Sequence, residues 1–183
     1  MLKQSAVFLD RDGTIIKDLG YLKNPQDVEF FPETFSALLK LQEHFLLFII
    51  TNQSGISKGI TTVNEVKLVN DRVVETLKSK GIIISNVYYC PHTSEDNCNC
   101  KKPKPYFIQQ ADELYNLNLE TSYIIGDHPS DVECGINAKI KPIYVLTGHG
   151  EKHRNELNAD CLICKNIADA SKYILATKTI NIL

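Results

Sequence analysis

The chain has 183 residues, of which 43% are hydrophobic and 23% charged, with a formal net charge of −2. That length accommodates one well-cored domain and leaves little for a second, and the near-neutral balance gives no electrostatic footprint for nucleic acid or an anionic membrane. The longest apolar run, residues 45–50, is far too short to span a bilayer, and the N-terminus lacks the regions of a signal peptide, so a cytoplasmic protein and a monomer are expected. In such a reducing compartment the six cysteines are metal ligands or buried residues sooner than disulfides.

Residues 6–9 read as a buried strand that runs into Asp10-Arg11-Asp12-Gly13-Thr14. Residues 17–31 show no clean period and read as a loop excursion with a turn at Asn24-Pro25. Pro32 opens a helix with Phe35, Leu38 and Leu39 on one face, and residues 45–50 form a strand buried on both faces that ends in Thr51. Thr62 and Glu65 make a capping-box pattern, followed at helical spacing by Val66, Val69, Val73 and Leu77 until Gly81. Residues 82–89 read mostly as strand and lead to a cysteine-rich loop over 90–103. Pro105 opens a helix with Ile108, Ala111 and Leu114 inward, residues 122–125 form a strand ending in Gly126-Asp127, and Pro129 starts the next helix. Residues 143–146 and 161–163 are short strands, and Asn166 caps a last helix bearing Ile167, Ala170 and Ile174. This alternation predicts an α/β fold over 1–183: one Rossmann-like three-layer domain around a parallel sheet.

Asp10 and Asp12, two residues apart at the end of a strand, point to the same side and can converge on one reacting centre. Thr51, Lys102 and Asp127 also follow predicted strand ends, and in a parallel sheet those ends share one rim. Two acids, a hydroxyl, a lysine and a further acid make sense together around a phosphate. Mg²⁺ held by Asp10, Asp127 and a backbone carbonyl near Asp12 would cancel the repulsion between carboxylates and phosphoryl oxygens. Lys102 and Thr51 would hold the remaining oxygens. Asp10 is then the nucleophile and Asp12 the acid and base.

Asp10-Arg11-Asp12-Gly13-Thr14, Thr51-Asn52-Gln53-Ser54-Gly55, Lys102-Pro103 and Gly126-Asp127-His128-Pro129-Ser130-Asp131 resemble the four motifs of the haloacid dehalogenase superfamily of phosphatases. An acid two places after the nucleophile is typical of its phosphatases. The closer likeness is to its heptose bisphosphate phosphatases, with the histidinol-phosphate phosphatases as the neighbouring alternative. The resemblance implies a small phosphorylated metabolite, a sugar bisphosphate, as substrate. It also implies substrate contacts from Arg11, Asp18, Leu19, Gly20, Tyr21, Asn52, Gln53, Ser54, Lys101 and His128. Leu19, Lys101 and His128 depart from the residues common there, and they bear on the sugar end of the site. The short spacings between the motifs imply little or no cap domain. From another class, a zinc-stabilised binding module without catalysis is the alternative, against which the intact Asp10 and Asp12 speak.

Cys90, His92, Cys98 and Cys100 offer three thiolates and one imidazole within eleven residues. A Cys₃His set closes a tetrahedral Zn²⁺ site with no open position, which makes it structural. Its placement directly before Lys101-Lys102 would pin the loop that delivers the phosphate-binding lysine. Cys134, Cys161 and Cys164 are read as packing residues, Asp131 as either a metal-shell or a helix-start acid, and His44 and His153 as surface.

Overall fold

A computed structural model describes residues 3–180, and side chains over 3–178. Six strands are present: β1 (Ala6–Leu9), β2 (Leu46–Asn52), β3 (Asn86–Cys90), β4 (Tyr123–Gly126), β5 (Lys141–Val145) and β6 (Leu162–Cys164). They alternate with α1 (Thr34–Gln42), α2 (Val63–Ser79), α3 (Tyr106–Tyr115), α4 (Pro129–Asn137), α5 (Gly150–His153) and α6 (Ile167–Ile180). All strand pairs are parallel, in the order β3-β2-β1-β4-β5-β6. The order reverses between β1 and β4, and such a switch point opens a crevice at the carboxyl ends of the two strands.

The central strands are apolar at every position because both faces are covered. Val7, Leu9, Leu47 and Ile49 pack under α1, α2 and α6, whereas Ala6, Phe8, Phe48 and Ile50 face α3 and α4. Phe8 and Phe48, neighbours in the β1–β2 register, stack at 5.1 Å between ring centroids. The Thr62–Glu65 capping box is formed at the start of α2, and Asn166 Oδ1 accepts from the N–H groups of Ala168 and Asp169 at the start of α6.

Several elements differ from their sequence reading. Leu39 and Leu114 are exposed, at 39% and 72%. The stripe of α1 runs through Thr34, Ala37, Leu38 and Leu41, and Leu39 sits about 100° around the helix from it. On α3 the stripe is Phe107, Ile108, Ala111 and Tyr115, whose ring meets Phe48 edge-on. β3 begins only at Asn86, and the segment before it joins the sheet by a single bond from the Ser85 N–H to the Leu47 carbonyl. The short α5 has no periodic signature, and the Thr147 carbonyl starts it by accepting from the Gly150 N–H. Between β1 and β2, and between β2 and Lys102, the described residues form no separate cap unit. No helix among them is long and apolar enough to cross a membrane.

Candidate active site

An open cleft of about 460 Å³ lies at the carboxyl ends of β1, β2 and β4. Asp10, Asp12, Thr51, Lys102 and Asp127 all line it, together with Asp18, Gly20, Tyr21, Asn52, Gln53, Ser54, Lys101 and His128. Two expected substrate contacts do not reach it. Leu19 points to solvent at 55% exposure, and Arg11 is turned inward with 1% of its surface exposed. The chain turns back just past it, with the Ile15 and Ile16 N–H groups both closing onto the Arg11 carbonyl. That turn lays the guanidinium against the Asp12 carboxylate, with Nη2 2.8 Å from Oδ2.

Lys102 is the electrostatic centre. Its ammonium is buried and donates to Asp10 Oδ1 at 2.5 Å and to the Ile50 carbonyl at 2.9 Å, and it pairs with Asp131 Oδ1 at 2.5 Å. Of the three donors of an ammonium, two are hydrogen-bonded, to Asp10 and to the Ile50 carbonyl, while Asp131 stands against it as an ion pair. Burial opposes its charge, but the two carboxylates outweigh burial and hold its pKa above the usual lysine range. Asn52, at the end of β2, clasps the lysine backbone: it accepts from the Lys102 N–H at 3.1 Å and donates to the Lys102 carbonyl at 3.3 Å.

Asp10, Asp127 and Asp131 each offer an oxygen within 4.8 Å of the others. Burial pushes the Asp10 carboxyl up to about 7, with Asp131 and Asp12 adding to the rise against the pull of Lys102. Asp127 is raised to about 8, again first by burial and then by Asp10 and Asp131, while the backbone N–H of His149 opposes the rise. So crowded an acidic set suits a divalent cation. The Asp12 carboxylate stands apart from it, accepting from Gln53 Nε2 at 2.8 Å and from Thr51 at 3.4 Å. Asp131 faces both ways: its Oδ2 caps α4 through the His128 N–H at 3.1 Å while Oδ1 meets Lys102.

Close packing fixes Asp127. A Cβ on Gly13, whose φ is +81°, would lie 2.0 Å from Asp127 Oδ2, and one on Gly148 would lie 2.2 Å from the same atom. The Thr147 hydroxyl donates to the Gly13 carbonyl at 2.6 Å, and the His149 N–H donates to Asp127 Oδ2 at 2.7 Å. His149 also pairs through Nε2 with Asp18 Oδ2 at 3.0 Å, and Lys58 donates to the Tyr21 hydroxyl at 2.9 Å, so the 18–21 loop is tied at both ends. His153, expected at the surface, is partly covered by the rings of His128 and His149.

Thr147, His149 and Asn70 are not among the expected site residues, although His149, between Gly148 and Gly150, reads from sequence either as lining the mouth of the site or as a solvated turn residue. The first two carried a signal, since they follow the predicted strand that becomes β5 on the same rim. Asn70 carried another, as a polar residue inside the Val66-Val69-Val73 stripe.

Cys90 Sγ, His92 Nδ1, Cys98 Sγ and Cys100 Sγ lie within 4.8 Å of one another. The Cys90–Cys98 and Cys98–Cys100 sulfurs are 3.6 and 3.7 Å apart, close to the edge of roughly 3.8 Å for a tetrahedron of Zn–S bonds, and Cys90–Cys100 is shorter at 3.0 Å. Burial raises the Cys90 thiol; at Cys98 burial is outweighed by the N–H groups of Lys101 and Cys100, which bring the thiol down to about 7.

A HAD-hydrolase-like family model matches residues 99–170. D-glycero-beta-D-manno-heptose-1,7-bisphosphate 7-phosphatase of Helicobacter pylori strain J99 is 37% identical over 171 residues, which is 92% of this chain and 96% of that protein. The corresponding protein of strain 26695 is 41% identical over 143 residues, 77% of this chain and 83% of that one. Among solved structures, D,D-heptose 1,7-bisphosphate phosphatase from B. bronchiseptica, complexed with magnesium and phosphate, superposes with a TM-score of 0.88 at 25% identity, covering 95% of this chain and 99% of that one. The chain belongs to the haloacid dehalogenase superfamily, in the family of heptose 1,7-bisphosphate phosphatases.

Proposed function

We propose that the protein is a Mg²⁺-dependent phosphatase that removes the 7-phosphate of a D-glycero-D-manno-heptose 1,7-bisphosphate. The observation that carries the reading is the convergence of Asp10, Asp12, Lys102 and Asp127 on one cleft, in a chain whose curated relatives carry that name. The six unpaired cysteines support placing it in the reducing cytoplasm.

Lys102 occupies Asp10 Oδ1, which leaves Oδ2 to attack phosphorus. As the new O–P bond forms, the bond to the sugar oxygen breaks, and Asp12 gives its proton to that oxygen. Asp12 then takes a proton from the water that attacks the aspartyl-phosphate, releasing inorganic phosphate and restoring the Asp10 carboxylate. Lys102 and Thr51 hold phosphoryl oxygens. Asp10, Asp127 and Asp131 form the acidic set that fits Mg²⁺. When bound, the ion supplies positive charge against the phosphoryl oxygens and the buried carboxylates. Asp18, Gly20, Tyr21, Asn52, Ser54, Lys101 and His128 line the part of the cleft open to the sugar. Zn²⁺ at Cys90, His92, Cys98 and Cys100 would hold the loop that ends in Lys101-Lys102.

The purified protein with Mg²⁺ should release one equivalent of phosphate from the heptose bisphosphate and leave the other in place. It should act far more slowly on histidinol phosphate; preference for histidinol phosphate would overturn the substrate assignment.

The raised carboxyls make a second expectation. Between about pH 4 and pH 8 Asp10 and Asp127 keep protons in the folded, metal-free protein that they lose in the unfolded chain, their carboxyls being raised from 3.8 to about 7 and about 8. The contribution of these two groups sets the trend expected here. Stability therefore falls as pH rises through that window. Mg²⁺ competes with those protons, so its stabilisation of the melting temperature should be small at pH 5.5 and grow toward pH 8. Melts with and without Mg²⁺ that separate equally at every pH would contradict the assignment.

A further inference from the structure

Arg11 heads the fully buried side chains by volume, and phosphoryl transfer as described gives it nothing to do. A buried guanidinium is costly unless its donors are met. Here Nε and Nη2 face both oxygens of Asp12, at 3.1 and 2.8 Å to Oδ2, and Nη1 donates to Asn70 Oδ1 at 2.6 Å. Asn70 is 6% exposed and sits on α2 in a stripe that is otherwise valine and leucine.

We infer that Asn70 is a positioning residue for proton transfer, anchoring Arg11 so that Arg11 holds the Asp12 carboxyl at the angle from which it protonates the leaving oxygen. The inference rests on the reading of Asp12 as the acid. A guanidinium is a rigid plane, so fixing one edge on Asn70 fixes the direction of the other. Gln53 also donates to Asp12 Oδ2, and the Asp12 side chain, 15% exposed, lines the cleft. The capping box at Thr62 sets where α2 begins, and with it the place of Asn70.

The test uses the leaving group. A sugar or other alkyl phosphate needs a proton as its oxygen departs, whereas 4-nitrophenyl phosphate does not, and kcat/KM reports the steps through aspartyl-phosphate formation. Asn70→Ala should lower kcat/KM on the alkyl phosphate by roughly tenfold to a hundredfold and leave the aryl phosphate within about threefold of wild type. Asn70→Asp, which keeps an acceptor for Nη1, should restore most of the alkyl activity. Arg11→Lys, which keeps the charge but gives up the fork, should show the same selective loss and serves if Asn70→Ala does not fold. A loss equal on both substrates, or none in a folded variant, overturns the inference. Asp12→Asn separates the two levels: a selective loss there without one at Asn70 removes only the positioning role, and no selectivity at Asp12 removes the acid reading itself.

Discussion

Asp10→Asn should abolish turnover, with a loss of about 10⁴-fold or more, the scale on which removal of a covalent nucleophile acts. The amide has the carboxylate's shape but cannot form an acyl phosphate. The fold should survive the change, because Lys102 keeps its contacts with Asp131 and the Ile50 carbonyl. Burial already resists a charge at Asp10, as its elevated pKa of about 7 shows, so a neutral group there should leave the melting temperature unchanged or raise it. Phosphate release and thermal melts on the same preparation check both halves. Appreciable turnover by a folded Asp10→Asn protein would exclude the covalent route.

The other large effect is expected at the cysteine loop. Metal analysis should find one zinc per chain. Its removal by chelation, or by Cys98→Ser, should lower the melting temperature by about 10 °C or more, given the folding free energy that structural zinc supplies. Turnover should fall even in saturating Mg²⁺, since Cys100 is two residues from Lys102 and the thiols would no longer be gathered. Asn52 alone would then hold the lysine backbone. Full activity in a sample shown to be zinc-free would remove the positional role of the loop.

Much of this architecture was legible because its signals are local or strictly periodic. Strand ends followed by Asp10, Thr51 and Asp127, the Thr62–Glu65 cap and the close-set cysteines each need only a few residues to read. The errors came where partners decide. Leu39 and Leu114 are as apolar as their neighbours, and only the placement of the sheet says which side of the helix is wet. Arg11 was expected at the substrate because the family resemblance places it there, whereas the contact that folds it against Asp12, and the distant Asn70 that receives it, are not visible in the sequence. Asp131 could not be apportioned between metal shell and helix start, since its Oδ2 caps α4 while its other oxygen lies among the acidic set with Asp10 and Asp127. His149 and His153 gather with His128 only through the short helix after β5.

The tethers on the 18–21 loop carry a consequence for selectivity. With Asp18 paired to His149 and Tyr21 bonded to Lys58, the rim of the cleft is joined into a collar. A collar admits or refuses a molecule by outline and by the polarity of its inner edge. Discrimination among sugar phosphates would then be written into a handful of rim side chains, and exchanging those few residues would retune the enzyme while leaving its phosphoryl chemistry intact.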